Sequence, residues 1–298
     1  MPSTREIRRR IRSVSNTAQI TKAMQMVASS KMRRAQDRVQ YSRPYAEQIR
    51  GLVSRLASVT DTEELGEEVE LLKQRPVRKV GYLVISPDRG LCGALPGNIN
   101  RKLANSALEE QRRLESNGIT PNIEYIAVGR KSRDFLVRTQ QQLIAEFTNL
   151  GDRPGMNDAS AIAQVAVDAF IKGDVDVVYL AYPKFVNTVT QVPTVEQLLP
   201  VQPPTGEADT KEALDYIYEP DAKEIFKALL PRYVDVQVYQ ALLETIASFY
   251  SAQMVAMKNA TDSAKELIQD LTLTYNKARQ SAITTQILEV VSGAEALG

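Results

Sequence analysis

The segment Ser86-Pro-Asp-Arg-Gly-Leu-Cys-Gly-Ala follows an apolar run and sits where a phosphate-binding loop could sit. Such a loop aims backbone N–H groups at an anion, and glycines let the backbone come close. Only Gly90 and Gly93 serve here. Neither the Gly-Lys-Ser/Thr ending of a P-loop nor a three-glycine dinucleotide pattern follows the first strand. The spacing is that of a turn and packing contact. Gly129-Arg-Lys-Ser opens a predicted helix and offers a second, equally weak anion site. Cys92 is the single cysteine, which excludes an internal disulfide, a Cys-x-x-Cys pair and a zinc knuckle. A nucleophilic thiol wants a base, and the chain has no histidine. That absence also excludes Ser-His-Asp and Cys-His catalysis and every His-ligated metal site. No catalytic, cofactor-binding or metal-binding residues are expected.

Composition agrees with a structural role. The 298 residues suit two ordinary domains, or one domain with a long extension. The 37 Lys and Arg balance 36 Asp and Glu, so bulk charge does not indicate a uniformly basic nucleic-acid binder. Glycine and proline number only 14 each, which favours long uninterrupted elements. No apolar run approaches the ~20 residues of a membrane helix, and no signal-peptide segment opens the chain. A soluble, helix-rich protein is expected.

The elements that dominate are at the two ends. From Ile7 a 4-then-3 spacing runs through Ile11, Val14, Ala18, Thr21, Gln25, Ala28, Met32, Ala35, Val39, Ser42, Ala46, Ile49 and Val53 to Leu56. Twelve of these fifteen positions are apolar and none is charged, which is the seam of a coiled coil. Pro44 threatens a kink that a partner helix could hold straight. Ile20, Ala23, Met24, Met26 and Val27 spread apolar surface beyond the seam, so a second buried surface is expected there. Residues 1–50 carry twelve cations against three anions, a net +9. Three readings fit: a solvated coiled-coil face, an electrostatic track facing an acidic protein or nucleic acid, or a targeting peptide. Only Tyr41 and Tyr45 interleave with the cations, which is poor support for base stacking.

At the other end a seam runs Val236, Tyr239, Leu243, Ile246, Tyr250, Gln253, Met257, Ala260, Ala264, Leu267, Leu271, Thr274, Ala278, then shifts phase to Ile283, Ile287, Val290, Ala294. This predicts a helix from about 232 to 296, preceded by a separate short helix Asp221–Leu229 between Pro220 and Pro231. The economical arrangement pairs the two long helices antiparallel. The longer one must then project or be held by another protein. Ile287, Leu288, Val290 and Val291 are apolar on more than one face, which argues for a sleeve supplied by a partner.

Between the helices, after an acidic stretch read as an exposed loop, strands alternate with helices. Strands are expected at Val77–Ser86, Asn122–Val128, Gln142–Phe147 and Val175–Ala181. Helices are expected at Asn98–Asn117, Arg130–Thr139 and Asn157–Lys172. Val186–Leu199 contains Pro193 and is an edge strand at best. The fold class is thus α/β, a small Rossmann-like, mostly parallel sheet domain between N- and C-terminal helices that form a long antiparallel two-helix coiled coil. The expected division is 1–60, 61–210 and 211–298.

Five segments together resemble the γ subunit of F-type ATP synthases, bacterial type. They are Ile20-Thr-Lys-Ala-Met-Gln-Met-Val-Ala, Lys31-Met-Arg-Arg-Ala-Gln, Asp88-Arg-Gly-Leu-Cys-Gly, Met254-Val-Ala-Met-Lys-Asn-Ala-Thr and Tyr275-Asn-Lys-Ala-Arg-Gln. The resemblance covers essentially the whole chain in order. It implies a non-catalytic central rotor that couples ion flow through a membrane ring to nucleotide chemistry on α and β. The implied partners are α, β, ε and the c-subunit ring, with no nucleic acid and no cofactor. The implied location is the cytoplasmic face of the membrane, peripheral, through the complex.

Carried over by position, Lys22 and Met24 resemble the coupling-sensitive part of the first helix. Arg279, Gln280 and Thr284 resemble the polar contacts to the β catch loops. Arg33, Arg34, Tyr216, Tyr218, Glu219 and Cys92 fall in segments resembling the foot that faces the c ring and ε. The chain also departs from the pattern. Phe249 follows Ser248 where the family usually has Glu, and Gln253 stands where Arg is usual, so a charge pair attributed to that region is absent or relocated. Ser132 replaces a usual Gly. The segment 183–220 lacks the thiol-bearing insert of chloroplast relatives.

Overall fold

A computed structural model describes residues 3–59, 69–202, 219 and 221–295. Helix α1 (Thr4–Val59) opens the chain, and α5 (Ala222–Glu295) closes it. Between them lie β1 (Lys79–Ile85), α2 (Leu95–Ser116), β2 (Asn122–Val128), α3 (Arg130–Arg138), β3 (Gln142–Phe147), α4 (Met156–Ile171), β4 (Val177–Phe185) and β5 (Gln191–Leu199). The chain divides into two compact units, Lys31–Ala252 and the pair of segments Met1–Ser30 and Gln253–Gly298.

In the unit Lys31–Ala252 the sheet order is β3-β2-β1-β4-β5. Four strands are parallel, and β5 joins antiparallel at the edge, where Pro193 pairs with Pro183. An edge is where a residue without an N–H is tolerated. Successive side chains of β1 enter opposite cores. Val80, Tyr82 and Val84 join Ile99 and Leu103 of α2 and Leu136 of α3. Leu83 and Ile85 join Ile162 and Phe170 of α4, Val53 and Leu56 of α1, and Phe226 and Val234 of α5. Burial on both faces explains why β1 reads as a nearly continuous apolar run. Farther along the helices, Ala35 and Val39 of α1 pack with Leu243 and Ala247 of α5. Small residues there let the axes approach.

In the other unit, α1 up to Ser30 runs antiparallel to α5 from Gln253. Thr21 meets Thr261, and Arg8 meets Tyr275. All fifteen expected α1 seam positions are buried or half-buried across the whole helix. The α5 seam is partly different. From Met257 on, burial or half-burial falls at 257, 260, 261, 264, 268, 271, 275 and 278. Ile268 and Tyr275 therefore take the places expected of Leu267 and Thr274, both of which are exposed, while Thr261 is buried beside the half-buried Ala260. The two seams share every other residue. The choice falls to Thr261 and Tyr275 because their polar atoms have partners on α1.

Pro231 also behaves differently from its expected role as a breaker. It lies inside α5 at an exposed position. A proline removes one N–H···O bond, and on the wet side of a helix water can serve the released carbonyl. Phe226, Leu230, Tyr233 and Val234 are buried on the same stretch and hold the axis through it. The expected short helix and long helix are one element. Pro44 is likewise carried within α1.

Candidate functional site

The loop that could have held a phosphate is filled by the chain itself. Ser86 follows β1 and donates its N–H to Val128 O at 2.8 Å. Its hydroxyl oxygen accepts the N–H of Ser132 at 2.9 Å. Asp88 accepts the N–H of Arg130 on one carboxylate oxygen and that of Asn149 on the other, both at 3.0 Å. The first turn of α3 thus already has a carboxylate and a hydroxyl on its free N–H groups, the groups an anion would have used. Gly129 makes this possible. Its φ is +90°, and a Cβ there would lie 1.9 Å from Ser86 O. Ser132, where the resembling family has glycine, is fully buried and donates its hydroxyl to Asn100 Oδ1 at 3.1 Å. The Cys92 thiol is buried as well, and burial pushes its pKa up to about 11. It is held as an inert thiol rather than a nucleophile.

A charged junction sits beside this loop, within the same unit. Asp152, in the turn before α4, takes the Lys31 ammonium of α1 at 2.5 Å and the Arg89 guanidinium of the β1–α2 loop. The Lys31 ammonium also lies 5.3 Å from the centroid of the Tyr250 ring on α5. Burial alone would raise the Asp152 pKa, but the hydrogen bonds from Lys31 and Tyr250 and the nearby Arg89 charge outweigh it and hold it below the usual carboxylate range. One carboxylate thereby ties two loops to both long helices. Its sequence context, Gly151-Asp-Arg-Pro, reads only as a turn. Nothing in periodicity marks it.

A second acid is buried on α5. Glu244 accepts the N–H of Phe185 at 3.2 Å and the side-chain amide of Gln240 at 3.1 Å. Burial raises its pKa despite these bonds. It fastens the end of β4 to the helix.

The sequence-derived site residues separate cleanly between the units. Lys22, Met24, Gln253, Arg279, Gln280 and Thr284 all belong to the unit of residues 1–30 and 253–298. Met24 and Gln253 are half-buried, and Lys22 is exposed with its ammonium 3.3 Å from Gln25 Oε1. Arg279, Gln280 and Thr284 are exposed, and the Thr284 hydroxyl donates to Gln280 O at 3.0 Å. Arg33, Arg34, Cys92 and Glu219 belong to the other unit, where Arg33, Arg34 and Glu219 are exposed. Tyr216 and Tyr218 lie outside the described residues. Ile20, Met26 and Val27, expected on a second buried surface, are open in the chain alone.

From 279 to 294 every residue of α5 is exposed. The stretch is nonetheless apolar in composition. Ile283, Ile287, Leu288, Val290 and Val291 are between 47% and 72% exposed. On a helix already beyond its α1 pairing, this leaves a run of apolar side chains open to water. No helix among the described residues is long and apolar enough to cross a membrane.

Comparison with known proteins gives a single answer. Residues 3–297 match the family model described as ATP synthase. The chain is 51% identical over 298 residues to the ATP synthase gamma chain of Roseiflexus castenholzii, covering 100% of this chain and 99% of that one. Among solved structures it is similar to a chain of the rotor of Euglena gracilis mitochondrial ATP synthase. That match has a TM-score of 0.64 and 22% identity, over 94% of this chain and 98% of the other. A chain of the central stalk and c ring of the Tetrahymena thermophila mitochondrial enzyme matches with a TM-score of 0.55 and 25% identity, over 81% of this chain and 99% of the other.

Proposed function

The chain belongs to the ATP synthase γ-subunit family, a central-stalk rotor component, and we propose that it transmits torque between an ion-driven membrane ring and catalytic sites carried by other subunits. The observation that carries this reading is the exposed apolar end of α5. A helix that continues past its partner with Ile283, Ile287, Leu288, Val290 and Val291 in water needs a surrounding surface. A ring of α and β subunits supplies such a sleeve. An apolar, weakly directional contact suits a shaft that turns inside it, because dispersion and hydrophobic attraction do not fix one angle.

In this reading residues 1–60 and 211–298 supply the shaft helices and 61–210 the globular part. Lys22, Met24, Gln253, Arg279, Gln280 and Thr284 meet the stator. Arg33, Arg34, Tyr216, Tyr218, Glu219 and the segment around Cys92 meet ε and the c ring. The exposed neighbour Leu91, rather than the buried thiol, makes contact there. The chain itself carries no reaction step. It works on the cytoplasmic face of the membrane, held there by the complex.

The two-helix pairing is what lets torque pass. The Thr21–Thr261 bond and the Arg8–Tyr275 contact cross-tie the helices against twisting. The test is direct observation of rotation. A Cys92→Ser, Val189→Cys chain, biotinylated at the exposed hairpin position, is assembled with α and β, and a bead is attached. ATP-driven turning in three steps per revolution supports the proposal. A complex that hydrolyses ATP while the bead shows only Brownian motion overturns it.

A further inference from the structure

In the unit Lys31–Ala252 an open groove of about 540 Å³ is walled by Arg38, Tyr41 and Tyr45 of α1, Arg153 of the turn before α4, and Arg232 and Tyr239 of α5. Its lining has three arginines and no carboxylate. The polar floor is internally satisfied. Ser42 donates to Gln240 Oε1 at 2.8 Å, and Gln240 donates to Glu244. The neighbouring acid Asp235 takes the Ser160 hydroxyl at 2.9 Å. The arginines are therefore the groove's uncompensated feature.

We infer that this groove binds an acidic peptide segment of a partner protein, through two carboxylates spaced about 10 Å apart. The spacing follows from the walls. Arg153 and Arg38 stand at one end, since both also line the small cavity next to Arg34. Arg232 stands at the other, held by Tyr45, whose hydroxyl accepts the Arg232 Nε–H at 3.1 Å. Arg38 and Tyr45 are two turns apart on α1, roughly 10 Å. A peptide in the polyproline II conformation spans that in three residues at about 3.1 Å each, and its three-residue turn puts both carboxylates on the face toward the groove. The arginine fork matches a carboxylate at each end. Between the ends, Val236, Tyr239 and Met156 offer a strip for one apolar side chain.

The same geometry argues against other anions. A di- or triphosphate wants cations converging on one point, and these are spread along two helical turns. Duplex DNA wants many phosphate contacts along a long track. Stacked bases want open ring faces, yet the Arg232 guanidinium lies 5.9 Å from the centroid of the Tyr45 ring. Tyr41, 85% exposed, is free to close over a bound chain. The proposal does not rest on the rotor reading and uses none of its contact residues.

The test titrates the full chain into a fluorescein-labelled hexapeptide, Gly-Glu-Ala-Leu-Glu-Gly, and follows anisotropy at low and at physiological salt. Controls are the same peptide with glutamines and one with adjacent glutamates. Expected is saturable binding that weakens as salt rises. It should fall about threefold in Arg38→Gln or Arg232→Gln and about tenfold in the double variant. Tyr41→Ala, too exposed to affect folding, should also weaken it, with the melting temperature unchanged. Three results overturn the proposal: no binding, equal binding of either control peptide, or stronger arginine-dependent binding of pyrophosphate or duplex DNA in competition.

Discussion

Thr21 of α1 and Thr261 of α5 share a buried 2.7 Å hydrogen bond between their hydroxyls. Each hydroxyl also lies near a carbonyl of its own helix, Ala18 O at 3.1 Å and Met257 O at 2.8 Å. One proton crosses between the helices and the other turns back, so both oxygens are satisfied. Thr21→Val or Thr261→Val leaves the survivor free to donate backward and removes only the crossing bond. Each single change should cost about 1 kcal/mol, and the double should cost less than the sum. Urea denaturation of the four chains of the cycle reads the coupling. Additivity would show that the hydroxyls do not interact.

Asp152 gives the chain an acid-sensitive joint. Its folded pKa lies below the ordinary carboxylate value. Its contribution is then complete above that value and is lost as pH falls through the folded pKa. Asp152→Asn should flatten the loss of stability between about pH 5 and pH 3. At neutral pH it should cost about 1 kcal/mol, the size expected of a pair open to solvent screening. Melting temperatures across that range, wild type against variant, check both points. Parallel acid limbs would remove Asp152 from the account.

Gly129→Ala should be far worse than a surface change. The added methyl would have to share space with Ser86 O at 1.9 Å, and φ of +90° disfavours any L side chain. The β1 end or the α3 start must shift, breaking the Asp88 and Ser86 bonds to the helix. A loss above about 3 kcal/mol is expected, seen as a lower melting temperature or insoluble chain. Gly93→Ala is the control for backbone strain alone, since its φ is +60° with open space around it.

These cases mark where sequence reading succeeds. The α1 seam is legible because its period holds for fifteen positions and burial follows it. Strands β1 and β4 are legible because nearly every residue on both faces is buried and apolar. The α5 seam is ambiguous because Leu267 and Ile268 are equally apolar neighbours, and only tertiary partners for Thr261 and Tyr275 decide. Pro231 misleads because a local rule about prolines ignores the packed side of the helix. Asp152 is invisible because its three partners come from positions 31, 89 and 250, far apart in the chain. The γ-like motifs carried the functional reading, while periodicity alone would have stopped at a coiled coil with an α/β domain.

Arg33 and Arg34 test which partner the basic stretch of α1 meets. Both are exposed and lie off the uncharged seam, so reversing them should leave the fold intact. If they face acidic surface of ε or the c ring, as proposed, Arg33→Glu with Arg34→Glu should lower ATP-driven ion pumping in a complex reassembled with α, β, ε and the membrane sector. A single reversal should be nearly silent, because an exposed pair is worth only ~0–1 kcal/mol. The double loses two attractions and adds two repulsions, and should show a clear deficit that deepens at low salt, where charges act over longer distances. The isolated double variant should melt as the wild type does, separating a coupling defect from a folding defect. If the stretch instead serves nucleic acid, the wild-type chain should bind duplex DNA with a salt slope of about 0.9 log unit per phosphate contact, and the double variant should lose that binding while pumping is unchanged. The two patterns are opposite in both readouts, so one pair of measurements assigns the surface.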